Sequence, residues 1–506
     1  MMMTRKLTLT VSALAILAAG AAQADVTAQQ VWDNWKEQTA IYGEGFTFGS
    51  EELSGDTLTV SDVAIELSDP ETTVTAAIGD INLTENGDGT VTVTMAEAYP
   101  ITIAVDPRYG DPGTIDAMVR QIGMSLVVSG DPDAMVYDIA ADSYSIGVEG
   151  LTGGPAEEVN LRDAIVTLSG ISGRYAITEG DLRDIVYALN VDMVDLDVLI
   201  TEPGGTGRFE FSGDMANLTT QAKVSLPADL DLDAPEPPFD DGLALSGGYS
   251  FGDLRYAFDF AADGEEGSGE LTSSGGDLNI AFDFDGMAYG GEARDIAVSA
   301  LFPSEFPLPV EASLGSYAYE LLVPLSQGDG EPRDARMAIS IRDLQISDML
   351  WNIADPATLL PRDPITVAIG IDAEVSPFFD FLDPDQMQAA AMSDVPGELH
   401  SATITELVVR AAGAEITGEG GFTFDNTDLA TFDGLPRPEG SMSFAINGVN
   451  GLVDTLIQMG LIPEADAMMP RMMLGMFATP VGDDMLTSTI EVNSEGHVLA
   501  NGQRLR

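Results

Sequence analysis

Two spacings of apolar residues divide this chain. Ala28, Val31, Trp32 and Trp35 fall on one helical face, and Thr27 and Gln30 have the separation of a capping box. This predicts a helix near the start that carries two of the three tryptophans. From Gly45 onward the period shortens to two. Stretches such as Thr90-Val-Thr-Val-Thr-Met95 and Leu278-Asn-Ile-Ala-Phe-Asp-Phe284 alternate, and clusters such as Glu85-Asn-Gly-Asp-Gly89 and Asp263-Gly-Glu-Glu-Gly267 interrupt them. These read as strands joined by hairpin turns. Helical spacing returns late. Leu452, Val453, Leu456 and Ile457 form a stripe, and after Pro463 a second stripe holds Met468, Met469, Met472, Met473 and Met476, interrupted by Pro470. A shorter helical region around Ser347 to Ile353 carries Trp351 and is expected to cap the sheet.

A short motif recurs among the strands, reading apolar, any, acid, apolar, any, apolar. It occurs as Val60-Ser-Asp62-Val63-Ala-Ile65, Ile78-Gly-Asp80-Ile81-Asn-Leu83, Met193-Val-Asp195-Leu196-Asp-Val198 and Phe251-Gly-Asp253-Leu254-Arg-Tyr256. It returns as Ala293-Arg-Asp295-Ile296-Ala-Val298, Ile341-Arg-Asp343-Leu344-Gln-Ile346 and Ile404-Thr-Glu406-Leu407-Val-Val409. Apolar spacing of three and then two breaks strict alternation by one residue. A bulge must absorb the extra residue, or the following side chains turn to the other face. Each motif therefore predicts a bent strand with an exposed acid at the bend. Irregular intervals argue against a fixed-period solenoid, and the fold class expected is mainly β, built of long curved antiparallel sheet with a few capping α-helices.

The first two dozen residues add a location. Arg5-Lys6, an apolar run from Leu7 to Ala22 and Ala22-Gln23-Ala24 before Asp25 have the layout of a secretory signal, cleaved after Ala24. A periplasmic protein is expected, with no membrane-spanning helix once residues 1–24 are removed, because no later apolar run approaches the roughly 18 residues required. The Pro- and Asp-rich stretch 227–241 is the best candidate linker, dividing the remainder into β-rich halves 25–226 and 242–506, the second with the terminal helices. The two halves can equally share one sheet.

Composition removes several function classes. The 506 residues hold 83 acidic against 21 basic side chains, a formal net charge of −62. Nucleic acid and anionic membrane surfaces are poor partners for such a chain. With 45% hydrophobic residues it is nevertheless a globular composition, and with no cysteine it has neither disulfides nor a lipoprotein anchor. Only His400 and His497 could serve as histidine ligands, so no transition-metal site and no cofactor is expected. Asp229, Asp231, Asp233, Asp240 and Asp241 could offer oxygen to calcium, but the prolines among them fit no EF-hand loop, and a solvated linker accounts for them. Gly248-Tyr-Ser250-Phe-Gly252 matches the G-x-S-x-G nucleophile pattern, with acids and His400 following in hydrolase order. The residues after Gly252 continue as alternating strand, which denies the strand-to-helix turn that the motif needs, so Ser250 reads as a strand serine.

Several segments together resemble DUF2125, a family of exported alphaproteobacterial proteins. They are Val31-Trp-Asp-Asn-Trp35, Gly55-Asp-Thr-Leu-Thr-Val60, Asn86-Gly-Asp-Gly-Thr-Val-Thr-Val-Thr-Met95, Ala98-Tyr-Pro-Ile101 and Asn501-Gly-Gln503, and the similarity runs over essentially the whole mature chain. The resemblance implies a Gram-negative periplasmic location and carries over no catalytic residue. In style the strand motif is also similar to envelope proteins of the AsmA type, whose curved sheets form apolar grooves for lipid. The expectation is a non-enzymatic binding or scaffold protein of the cell envelope, with a lipid, another amphiphile or an envelope protein as partner. Trp32, Trp35, Met468, Met469, Met472, Met473 and Met476 are its candidate apolar surface, although core packing accounts for the same residues. The alternative is a carboxylate-based hydrolase of envelope glycans, since with 83 acids some pair falls about 5 to 9 Å apart by chance.

Overall fold

The alternating stretches become strands, and most pair with the strand next in sequence, whereas Val91–Thr94 pairs with Ser125–Asp131 and Ala244–Phe251 with Gly275–Phe282. The computed structural model describes residues 25–41, 46–106, 111–153, 160–205, 207–227, 239, 241–327, 330–393 and 395–506. The expected signal segment lies outside them, as does the proposed linker except for Pro227, Phe239 and Asp241. Among the described residues 27 strands form one antiparallel sheet, and five helices decorate it. Strand makes up 66% of the structure. The ladder also runs across the candidate linker: Ser225 lies opposite Ala244, and Met215 opposite Leu254.

The recurrent motif marks a crease that crosses this sheet from strand to strand. Asp62, Asn217, Asp295 and Asp343 have φ of 52°, 54°, 47° and 56°, and Gly79, Gly123 and Gly170 have φ of 82°, 66° and 65°. Only glycine, asparagine and aspartate visit that left-handed region at small cost. Aspartates of the intervening strands link these positions across the ladder: Asp142 lies between Gly123 and Gly170, and Asp192 between Gly170 and Asn217. Hydrogen bonds fasten the line, with the Asp62 N–H donating to Asp80 Oδ1 (3.2 Å), Ser274 Oγ to Asp295 Oδ2 (2.7 Å) and the Asp343 N–H to Thr366 Oγ1 (3.2 Å).

A shift of register between Val60 and Val63, and another between Ile341 and Leu344, absorbs the odd residue as the spacing requires. Apolar side chains therefore keep one face on both sides of the crease. Two motifs depart from the expected pattern. Asp195 sits in regular ladder opposite Thr167 and Asp214, and the left-handed residues of the flanking strands, Gly170 and Asn217, lie opposite Asp192 three residues earlier. Glu406 is half-buried in an ion pair with Arg342 (2.5 Å).

The first helix, α1 (Ala28–Ile41), closes one end of the sheet. Its capping box forms as the spacing predicts, with the Thr27 N–H donating to Gln30 Oε1 (2.9 Å) and the Gln30 N–H to Thr27 Oγ1 (3.3 Å). Val31 and Trp32 are fully buried on Leu58, Val60, Leu83, Val91, Val93 and Val128, and this cluster is the main core of the molecule. The other helices are α2 (Asp348–Ala354), which carries Trp351, α3 (Pro384–Ala391), α4 (Val449–Gln458) and α5 (Glu464–Phe477). None of the helices is long and apolar enough to cross a membrane.

Candidate apolar binding face

Strand alternation sorts side chains onto two unlike faces. On one, Leu58, Leu83, Val93, Leu126 and Ile139 form a row of successive cross-strand neighbours, and the same row continues through Gly173, Leu189, Thr220, Tyr249, Leu278, Gly291, Tyr319, Ile339, Ile369 and Leu407. A parallel row runs Val128, Tyr137, Tyr175, Tyr187, Ala222, Gly247, Ile280, Tyr289, Leu321, Met337, Ile371, Ile404. Beyond the crease a third links Tyr99, Val119, Ile146, Val166, Leu196, Gly213, Tyr256, Leu271, Val298 and Ala312. None of these residues carries a charge.

The opposite face is polar and holds its cations in ion pairs. Arg174 pairs with Asp138 (2.7 Å), Arg255 with Glu270 (3.0 Å), and Arg336 with both Asp372 (2.6 Å) and Glu320 (3.1 Å). The Arg336 guanidinium is held further towards its charged form chiefly by the hydrogen bond to Asp372.

Helix α1 covers only the beginning of the apolar face. Its Asn34 accepts a hydrogen bond from Tyr137 Oη (3.0 Å) and its Gln38 from Tyr175 Oη (3.3 Å), so the helix meets the buried phenols with polar partners. Burial pushes the Tyr137 phenol well above its ordinary value, and Tyr319, hydrogen-bonded to Tyr289, is pushed up to about 12. Tyr137 and Tyr319 therefore stay neutral at any physiological pH. Past α1 the rows lose their cover: Tyr187 is 40% exposed, Tyr249 42%, Ile339 43% and Met337 56%. At the junction a cavity of about 370 Å³ lies between Trp35 and Gln38 on the helix and Leu126, Tyr137, Ile139, Tyr175, Tyr187 and Leu189 on the sheet.

Comparison with protein families matches residues 189–500 to the family described as uncharacterized protein conserved in bacteria, DUF2125. The chain belongs to the DUF2125 family. The match is narrower than the resemblance expected over essentially all of residues 25–506: the segments that carried it lie at 31–101 and 501–503, outside the match. In this DUF2125 protein the matched span starts at Leu189 on the apolar row and includes most of the uncovered face and all of α5, whereas α1 precedes it. No curated protein matches the chain.

The structure separates the candidate residues named from sequence. Trp32 is buried in the core, where α1 packs on strands Thr57–Ser68 and Thr72–Glu85, and Trp35 borders the cavity further along the sheet. Met468, Met469, Met472, Met473 and Met476 lie exposed on α5, which packs on α4 near strand Ala414–Asp425, far along the strand order. What the sequence reading missed are Tyr137, Tyr175, Tyr187 and Leu189. Their alternation was visible, but their alignment depends on register between strands 12 or more residues apart.

Ser250 lies in strand Ala244–Phe251, paired with Thr219 and Asp277, and no helix follows it. His400 Nε2 lies 2.8 Å from Ser376 Oγ on the neighbouring strand. Among the carboxylates, buried Asp355 accepts from the Leu360 N–H (2.8 Å), and hydrogen bonds from the Leu359 and Leu360 backbone hold it below its ordinary value. Among the described residues no group of three or more acidic, histidine or cysteine side chains is placed to hold a metal.

Proposed function

We propose that this DUF2125 protein is a non-enzymatic binding protein of a Gram-negative, alphaproteobacterial envelope, acting in the periplasm, and that its ligand is a lipid or another amphiphile laid on the uncovered apolar face. One observation carries the reading: rows that are sealed under α1 continue uncharged and uncovered over strand after strand. Contiguous apolar surface beyond a few hundred Å² is rare on a soluble monomer and marks an interaction site. Burying such surface is worth roughly 25 cal/mol per Å². The signal-like leader supports export, and the polar opposite face supports contact with water. The AsmA-like strand style supports the lipid class by analogy alone.

Native mass spectrometry of protein purified from its own host tests this directly. The expected result is a population carrying a lipid mass that delipidation removes and added lipid restores. A single apo mass that stays unchanged under lipid challenge would defeat the proposal.

A further inference from the structure

We infer that the cavity between α1 and the sheet seats the methyl end of one alkyl chain of a neutral or zwitterionic amphiphile, whose head group points away from α1 along the uncovered rows. The inference rests on the reading just proposed and specifies its site and ligand class. The walls present carbon: Trp35, Leu126, Ile139, Tyr175, Tyr187 and Leu189 surround the space. Two of the three hydroxyl groups in the walls are engaged, Tyr137 by Asn34 and Tyr175 by Gln38, and the third belongs to Tyr187, which is 40% exposed on the uncovered row. Arg174 also borders the cavity, but its guanidinium is bound to both Asp138 oxygens (2.7 and 3.1 Å). A volume of about 370 Å³ falls within the usual range for small-molecule sites.

Direction follows from the cover. Val31 and Trp32 already occupy the apolar rows nearer the N-terminal edge, so a chain laid on the rows from the open side stops at Trp35. Charge sets the head group. A molecule of formal charge −62 repels an anionic amphiphile over several ångströms, and a neutral or zwitterionic one is spared that cost.

The experiment uses the full mature protein with Trp351→Phe, so that emission comes from Trp32 and Trp35. It is titrated with monoacylglycerols brominated either at the last carbons of the chain or beside the glycerol, while native mass spectrometry reports binding. The tail-brominated ligand is expected to quench more strongly than the head-proximal one, and the corresponding fatty acid anion to bind more weakly. Leu189→Asp places a charge in the cavity and is expected to weaken binding about tenfold or more. Leu189→Trp, which fills the space without a charge, is expected to lower occupancy as well. Bound ligand with unquenched emission would place the chain elsewhere on the face and overturn this inference alone. Stronger quenching by the head-proximal label would overturn its direction, equal binding of the anion its head-group class, and undiminished binding by both Leu189 variants its site. Failure to bind any amphiphile would remove the proposed function too.

Discussion

Single residues decide where this sheet bends. Asp343 sits at φ 56° between register-shifted Ile341 and Leu344, and its N–H is held by Thr366 Oγ1. A β-branched residue resists that conformation, whereas glycine adopts it freely. Asp343→Val is therefore expected to destabilise this region by about 1–2 kcal/mol, and Asp343→Gly to change it little. Hydrogen exchange at the amides of Leu344 to Ile346 measures the difference; equal protection in the two variants would mean that the left-handed bend is not what the aspartate supplies. The acid-centred motif was legible because its spacing of three then two is a local signature of a bulge. Asp195 shows the limit. Its sequence satisfies the motif, yet the crease passes Asp192, opposite left-handed Gly170 and Asn217 on the adjacent strands. That choice depends on a neighbour more than twenty residues away, and no local pattern contains it.

Among the elements, α1 shows how a helix is tied to an otherwise open sheet. Trp32 Nε1 donates to Glu51 Oε1 (2.8 Å) and Lys36 Nζ lies 3.1 Å from the same oxygen, on the edge strand Ser50–Ser54. The hydrogen bond from Trp32 comes first among the causes that hold the Glu51 carboxyl below its ordinary 4.5, with Lys36 adding to it against the opposing effect of burial. A depressed folded-state value means that this contact contributes its full stability above pH 4.5 and loses it as pH falls through the lower folded value. On acidification below about pH 4, tryptophan emission is expected to shift to the red as α1 loosens, and Glu51→Gln to remove that step. The same acid-induced shift in Glu51→Gln would assign it to other carboxylates. The helix itself was legible to its capping box, because Thr27 and Gln30 are local. The cap of α4 was not. Asp484, 34 residues after Asn450, accepts from the Asn450 and Gly451 N–H groups (3.2 and 2.8 Å). Burial pushes its carboxyl up, and these hydrogen bonds more than offset that and hold it low.

For the whole molecule, the problem is how a sheet with one sealed core and a formal charge of −62 stays folded. Sequence alternation disclosed the two faces and the acidity, but not that the ladder runs unbroken from Ser225 to Ala244 past the Pro- and Asp-rich segment, since pairing is set by partners rather than by composition. In a continuous sheet every carboxylate on the polar face adds to one shared field. Most of the ion pairs there are partly exposed, as with Arg255 and Glu270, and exposed pairs are each worth only about 0 to 1 kcal/mol. The 83 acids exceed the 21 bases so far that repulsion among unpaired carboxylates outweighs those contacts. Raising sodium chloride from about 10 mM to about 0.15 M shortens the screening length from about 30 to about 8 Å, which reaches the spacing of neighbouring carboxylates but leaves the closest pairs largely intact. The thermal midpoint is therefore expected to rise steeply over that interval and then level off. General salting-out would instead raise it in proportion to concentration up to molar salt, and a midpoint that falls with salt would show that the ion pairs dominate the field. Only the early, saturating rise fits a fold limited by its own charge rather than by want of apolar surface to bury.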